Sequence, residues 1–382
     1  MIYQEKLGVY RVGDFKFYSK LEAIEMQSKT GIHPHWDFNE AVFSTYDWTQ
    51  EPAERLTDLY RRRAEQLREK YDYIVLFYSG GSDSQTVLES FVDNDIHINE
   101  IVSWSNYEAT KDKNHFFNAE TYCVAIPEIE RFKKKHPGLQ HRILDLSQLT
   151  VNSFLETDAK FDWIYNQNSY FTPGTTAKND LPLKIPEWHN ILLSGKRLCL
   201  LWGMDKPRIY HEDERFCVKF LDIVDNGPSV RSIAGLNPWH DELFFWTPDL
   251  PQIVIKQAHV IKNYLNQNFD KSPFISHEVS KLAYKIHQGQ KYWLNNHGVH
   301  RLIYPNWNID TFSVGKSSSV IFTRRDDWFR NMQHDRSRNI WKMGIEKLWN
   351  SLPDYWKNDP LDISKGFKLC VSKSYFLDKD II

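Results

Sequence analysis

Cysteine is scarce in this chain: Cys123, Cys199, Cys217 and Cys370 are the only four in 382 residues, and no two form a Cys-x-x-Cys pair. Such spacing signals neither a disulfide framework nor a zinc ribbon, and it points to a reducing cytoplasm. The sequence has no run of about 18 apolar residues and no apolar h-region near its start, which argues against a membrane span and against secretion. Charge of one sign is missing as well, since 48 Lys and Arg face 50 Asp and Glu, for a formal net charge of −2. No global field draws in nucleic acid, and only a local basic face such as Arg324-Arg325 leaves that partner open. Internal repeats and low-complexity tracts are also lacking, so solenoid and linker architectures are set aside.

What is present describes a globular protein of enzyme size. Hydrophobic residues make up 41% and charged residues 26%, with both signs mixed along a chain longer than one compact core requires. Aromatics reach 15%, including 14 Trp. Many lie after residue 160, where they fill a core or line a pocket for a planar ligand.

Along the chain, Val9–Tyr18 alternates apolar and polar positions around Gly13-Asp14 and predicts a β-hairpin. Residues 31–52 show little periodicity and read as an irregular arm. A helix follows Pro52, with Leu56, Leu59, Tyr60, Ala64 and Leu67 on one face, and the Arg61-Arg62-Arg63 run is expected on the solvated side with Glu65 and Glu69. Tyr73–Tyr78 is apolar throughout and rich in β-formers, as a strand buried on both faces of a parallel sheet must be. Similar units recur: strands at Ile101–Trp104, Arg142–Leu146 and Leu198–Trp202, and helices at Ala119–Lys135 and Trp188–Leu193. The fold class is α/β with right-handed crossovers. Beyond about residue 225 the strand signal fades and helical periodicity appears at Ile253–Leu265 and Val279–Leu294. The expected organisation is an N-terminal hairpin and arm at 1–50, a parallel-sheet nucleotide domain at 51–225 and a mostly helical substrate domain at 226–382.

Chemistry concentrates after the first buried strand, in Ser79-Gly80-Gly81-Ser82-Asp83-Ser84, which leads into the helix 85–92. At that junction unpaired backbone N–H groups and the helix dipole attract anions. Two glycines let backbone approach a phosphate, serine hydroxyls add donors, and Asp83 requires an intervening cation such as magnesium. A plain capped turn would account for one glycine and one capping residue, not for all six. A Walker loop is excluded because Ser79–Thr86 has no lysine, and Gly315-Lys316-Ser317 has Asp310 where the first glycine of that motif belongs. A nucleophile elbow is excluded because Ser84, not glycine, stands two residues after Ser82.

The arrangement of strand, Ser-Gly-Gly-Ser-Asp-Ser loop and helix resembles the PP-loop of the N-type ATP pyrophosphatases. That group includes asparagine synthetase, GMP synthetase and 7-cyano-7-deazaguanine synthase. The fixed positions of its Ser-Gly-Gly-x-Asp-Ser pattern all match, and the resemblance spans roughly residues 70–225. It implies a three-layer, HUP-like PP-loop domain that binds ATP and Mg2+. Ser79, Gly81, Ser82 and Ser84 would hold the pyrophosphate, with Gly80 and Asp83 completing the cofactor site, while a substrate oxygen attacks the α-phosphate. It further implies that Gly203-Met204-Asp205 after a later strand supplies a second carboxylate, making Asp83 and Asp205 the metal candidates. Ser82, Asp83 and Lys206 are the expected catalytic residues, and Gly203 is an expected cofactor contact. Ser103 and Trp104 occupy the place where the family cradles adenine. Lys206, Arg208, Lys196 and Arg197 are up to four cations that could face the nucleotide.

The reaction so implied is ATP to AMP and pyrophosphate, with a carboxylate or amide-like oxygen activated for attack by ammonia or an amine. Asparagine synthetase differs in carrying an N-terminal glutaminase cysteine where this chain has Ile2. Alternatives are modification of a nucleobase, free or in tRNA, sulfur transfer like that of phosphoadenylylsulfate reductase, or a nucleotide-binding interaction protein without catalysis. Sulfur transfer is disfavoured by the scattered cysteines. Lys256-Gln257-Ala258-His259, with Lys316, Arg324 and Arg325, is a candidate acceptor pocket. His33, His35 and His297–His300 lack a third nearby ligand for zinc.

Overall fold

Tyr73-Ile74-Val75-Leu76-Phe77 has apolar residues at both odd and even positions, and the protein buries both faces of this segment in the middle of a five-stranded sheet. The structure is a computed structural model that describes residues 5–156, 162–166, 171–178, 181–223, 239–268, 292–293, 300–306, 322, 324–332 and 336–379. In chain order its strands are β1 Val9–Val12, β2 Phe15–Phe17, β3 His35–Asp37, β4 Tyr73–Phe77, β5 Glu100–Ser105 and β6 His141–Asp145. They continue with β7 Leu198–Trp202, β8 Ile209–Glu212, β9 Arg215–Val218, β10 His240–Leu243, β11 Tyr292–Trp293 and β12 Tyr375–Phe376.

The central sheet runs β10-β7-β4-β5-β6 with every pairing parallel. Its two faces are packed differently. Ile74, Leu76 and Tyr78 meet Leu59, Leu67, Val87, Leu88, Phe91 and Ile129 from helices Leu56–Lys70, Ser82–Val92 and Ile126–Lys135. Val75, Phe77, Val102 and Leu200 meet Leu181, Ile185, Trp188 and Leu192 from the other side, the last two carried by helix Pro186–Leu193. The result is three layers, helices over sheet over helices. The chain builds outward from β4 through β5 to β6, then crosses back past β4 to lay down β7. Strand order therefore reverses between β4 and β7, the position at whose carboxyl end open parallel sheets take their ligands.

Three expectations change. The arm at residues 31–52 is ordered: β3 pairs with β1 beside the hairpin β1–β2, and Trp36, Phe38, Phe43 and Trp48 are buried. Arg63 is not on the solvated side. It follows Leu59 and Tyr60 by one helical turn, so the same face carries it inward, and it is fully buried against Glu242 of β10. The sheet also passes the boundary expected at 225, because β10 is its fifth strand, and β12 pairs with β9. The helix expected at Ile253–Leu265 is Gln252–Asn268, and Arg336–Ser351 is a second long helix of this region. The helix expected at Val279–Leu294 lies outside the described residues except for Tyr292 and Trp293, which are strand. Among the described residues no helix is long and apolar enough to cross a membrane.

His141 at the start of β6 offers a titration test of the fold. Its Nε2 lies 3.0 Å from Ser103 Oγ, and burial, aided by Lys133, pushes its pKa down to about 4. The unfolded chain binds this proton near the ordinary histidine value, so stability from His141 is present above about pH 6.5 and declines as pH falls toward 4. His141→Gln flattens the fall in Tm between pH 7 and 4.5, measured by thermal melts across that range.

Candidate active site

The loop after β4 is shaped by two different uses of glycine. Gly80 has φ +75, in the left-handed region, and a Cβ there would sit 2.8 Å from Val124 Cγ1 and 3.0 Å from the Ala125 N. Those neighbours belong to a π-helical stretch, Glu120–Ala125, within the helix expected at Ala119–Lys135. Gly81 is the N-cap of helix Ser82–Val92 and provides no side-chain cap, so backbone N–H groups face the end of the helix where its dipole attracts anions. Ser79 and Ser84 hold the loop from within. Ser84 Oγ accepts from Ser79 N at 3.2 Å and donates to Gly81 O at 3.1 Å, and Ser79 Oγ accepts from Gly81 N at 3.3 Å.

The second loop, Gly203–Arg208, leaves the carboxyl end of β7, the neighbour of β4 in the sheet. It touches the first loop backbone to backbone: a Cβ on Gly203 would lie 3.0 Å from Ser84 N and 3.1 Å from the Asp83 carbonyl carbon. Gly203→Ala therefore pushes the loops apart by a few tenths of an ångström. The expected outcome is about a ten- to hundredfold loss of the site's activity with a small change in Tm, checked by kinetics alongside melts.

Lys206 bridges the two loops. Its Nζ lies 3.2 Å from Asp83 Oδ2 and 3.2 Å from Asp205 Oδ1, and Arg208 donates to Asp205 Oδ2. Burial opposes the charge on Lys206, but Asp205 and Asp83 outweigh it and raise the pKa, so the ammonium persists at neutral pH. Burial likewise opposes ionisation of Asp205, and Arg208 with Lys206 overcomes it, holding that carboxyl below the usual range. Tyr304, buried just past the short helix His300–Ile303, donates its hydroxyl to Asp83 Oδ1. Burial and then Asp83 raise the Tyr304 pKa far above the ordinary phenol, so it stays a neutral donor. No motif in the sequence marks Tyr304; the only local signal is Pro305, which fits a helix ending there.

Two carboxylates converging on one positive point fit a divalent cation, because Mg2+ takes one or two protein carboxylates together with phosphate oxygens. Among the described residues no group of three or more His, Cys, Asp or Glu forms a metal-holding cluster.

Other sequence candidates land elsewhere. Ser103 is fully buried behind the loop, and its Oγ donates to Tyr78 O at 2.7 Å. Trp104 lies near the carboxyl edge, half-buried, its ring stacked on Phe77 at 4.6 Å, while Trp202 packs on the same Phe77 at 4.0 Å. Lys178 Nζ stands 5.5 Å from the Trp104 ring and 6.0 Å from the Trp202 ring. Lys196 and Arg197 do not join the nucleotide cations. They precede β7, at the opposite end of the sheet, where Arg197 pairs with Asp72.

The candidate acceptor group at 256–259 is bound up in packing: Lys256 with Glu51, Gln257 with the Tyr60 hydroxyl, and His259 Nε2 with Trp48 O at 2.8 Å. Lys316 and the Gly315–Ser317 turn lie outside the described residues. Arg325 pairs with Glu120 of the π-helical stretch instead of standing in a basic face. A cavity of about 490 Å3 runs from Gly80 and Ser82 along Gln85, Glu89 and Arg131 to Lys135, and neither Asp205 nor Lys206 lines it. The chain matches no family model, no curated protein and no solved structure.

Proposed function

We propose that the chain is an ATP-dependent adenylating enzyme that forms AMP and pyrophosphate, in the manner of the N-type ATP pyrophosphatases its loop resembles. The observation that carries this reading is the meeting, at the strand-order reversal, of a glycine-led helix N-terminus with Lys206 held between Asp83 and Asp205. Open parallel sheets bind nucleotides at that reversal, and helix N-termini bind phosphate.

In this reading the first-turn amides of Ser82–Val92 receive the β- and γ-phosphates, and Ser79 and Ser84 keep the loop in the shape that presents those amides. Lys206 supplies a fixed positive charge beside the departing diphosphate, where negative charge grows most in the transition state. Arg208 holds Asp205 in place. Asp83 and Asp205 would hold Mg2+, which supplies further charge neutralisation on the phosphates. The acceptor is a carboxylate or amide-like oxygen that attacks the α-phosphate, and ammonia or an amine then displaces AMP. No covalent enzyme nucleophile is required.

The faces of Trp104 and Trp202 under Lys178 favour a second version, in which the acceptor is a planar nucleobase, free or in tRNA. Sulfur transfer has no such support. Burial pushes the Cys217 thiol up to about 12 and also raises Cys199 and Cys370, which keeps these three unreactive and leaves Cys123 as the exposed thiol.

The test is incubation with magnesium, α-labelled ATP and panels of amides, carboxylic acids and nucleobases, followed by separation of AMP from ADP. Acceptor-dependent AMP with pyrophosphate supports the reading. ADP as product would turn the case toward a kinase or ATPase, and ATP binding without turnover toward a nucleotide-binding protein without catalysis.

A further inference from the structure

We infer that Tyr304 is a positioning residue that fixes the Asp83 carboxylate in the orientation in which the loop accepts a cation and nucleotide together. This rests on the adenylating reading for the identity of the nucleotide, and on the geometry of one hydrogen-bonded chain for the role of the residue.

Asp83 is the second residue of helix Ser82–Val92 and stands among the amides proposed to receive phosphate, so its carboxylate is repelled by the ligand unless a cation lies between them. A free aspartate at that place would rotate toward Lys206 and close on it as a simple ion pair. In the observed arrangement both oxygens face Lys206, and one of them also takes a second donor. Oδ1 accepts the Tyr304 hydroxyl, and Oδ2 is the nearer to Lys206 Nζ, at 3.2 Å against 3.4 Å for Oδ1. With Oδ1 also engaged by a phenol from the C-terminal region, Oδ2 is the oxygen left to take a metal ion beside the ammonium.

The segment that carries the phenol is anchored, and so is its ring. Ile303 O, one residue earlier, accepts the Tyr60 hydroxyl at 2.7 Å, and Tyr60 in turn accepts from Gln257 Nε2 at 2.9 Å. The Tyr304 ring packs against Phe245 at 5.6 Å between centroids, and the residue is buried. Helices Leu56–Lys70 and Gln252–Asn268 thus set the position of one hydroxyl at the loop. Nothing in packing alone requires a tyrosine there, since phenylalanine would fill the same space; the hydroxyl's partner is the carboxylate.

The experiment measures ATP binding by equilibrium dialysis against increasing Mn2+, in the wild type, Tyr304→Phe and Tyr60→Phe, with a melt of each. Tyr304→Phe is expected to raise the half-saturating Mn2+ about tenfold, the size of losing one hydrogen bond to a charged group, while ATP affinity at saturating Mn2+ stays within about twofold. Tyr60→Phe, which loosens the same segment but keeps the Tyr304 hydroxyl, is expected to lower Tm and to shift the Mn2+ curve less than Tyr304→Phe does. An unshifted curve in Tyr304→Phe overturns the inference alone, as does an equal shift in both variants, or a Tyr304→Phe that fails to fold while Tyr60→Phe folds. Metal-dependent ATP binding with no AMP formed removes the enzymatic reading and leaves this inference standing. Absence of metal-dependent ATP binding by the wild type overturns both.

Discussion

Lys206→Ala lowers acceptor-dependent AMP formation by about 10²- to 10³-fold, the loss seen when one preorganised donor is removed from a site of developing charge. Two effects combine. The ammonium facing the departing diphosphate is gone, and Asp83 and Asp205, each 3.2 Å from that nitrogen, lose the charge between them. The variant's folded state is consequently less stable at neutral pH, and Mg2+ restores part of that stability because it supplies charge at the same point. Lys206→Arg does not recover the wild-type rate, since a planar guanidinium cannot replace a compact ammonium between two carboxylates. Initial rates of labelled AMP release, with melts in the presence and absence of Mg2+, decide this; a rate within threefold of wild type would remove Lys206 from the mechanism.

Arg63→Ala destabilises the fold by about 3–5 kcal/mol, through the charge it leaves behind rather than the contact it removes. Arg63 is fully buried, donating to Glu242 Oε2 at 2.9 Å and to Leu243 O at 3.2 Å. Burial would raise the Glu242 pKa, but Arg63, Lys6 and Lys70 together bring it down to about 2. Because the folded value lies below the unfolded one, this stabilisation is complete above about pH 4.5 and is lost as pH falls toward 2. Without Arg63 the carboxylate stays buried with less compensation, so the variant's stability depends less on acid over that window. Urea unfolding of Arg63→Ala and of an Arg63→Met, Glu242→Leu double variant separates the two ideas. The double variant should regain most of the loss, because replacing both charges removes the desolvation cost together with the pair.

These residues also mark how far the sequence could be read. β4 and β7 were legible because each is a contiguous apolar run, and Leu198–Trp202 is reproduced to the residue. The hairpin was legible from Gly13-Asp14 between alternating residues. β10 was not, because His240-Asp241-Glu242 reads as a polar loop; it is a strand because β7 offers it a parallel edge and Arg63 neutralises its buried glutamate. Arg63 was misread for the matching reason: its partner lies 179 residues away, and the neighbouring Arg61 and Arg62 look alike in the sequence. At the site, the six residues Ser79–Ser84 stood out since a strand, a glycine turn and a helix start are all local. Gly203-Met204-Asp205-Lys206 was found from its place after a strand, and Tyr304 had no signal at all.

By itself the sequence determined the apolar strands, the amphipathic helices and the loop, because strand burial, helix periodicity and turn chemistry depend on residues within a few positions of one another. Only the tertiary structure decided that Lys206 and Tyr304 both meet Asp83. They lie 123 and 221 residues apart from Asp83, and no local preference encodes their meeting. It follows from the order of the strands: the crossover past β4 sets the ends of β4 and β7 side by side, and the later helices bring a single hydroxyl back to the same point.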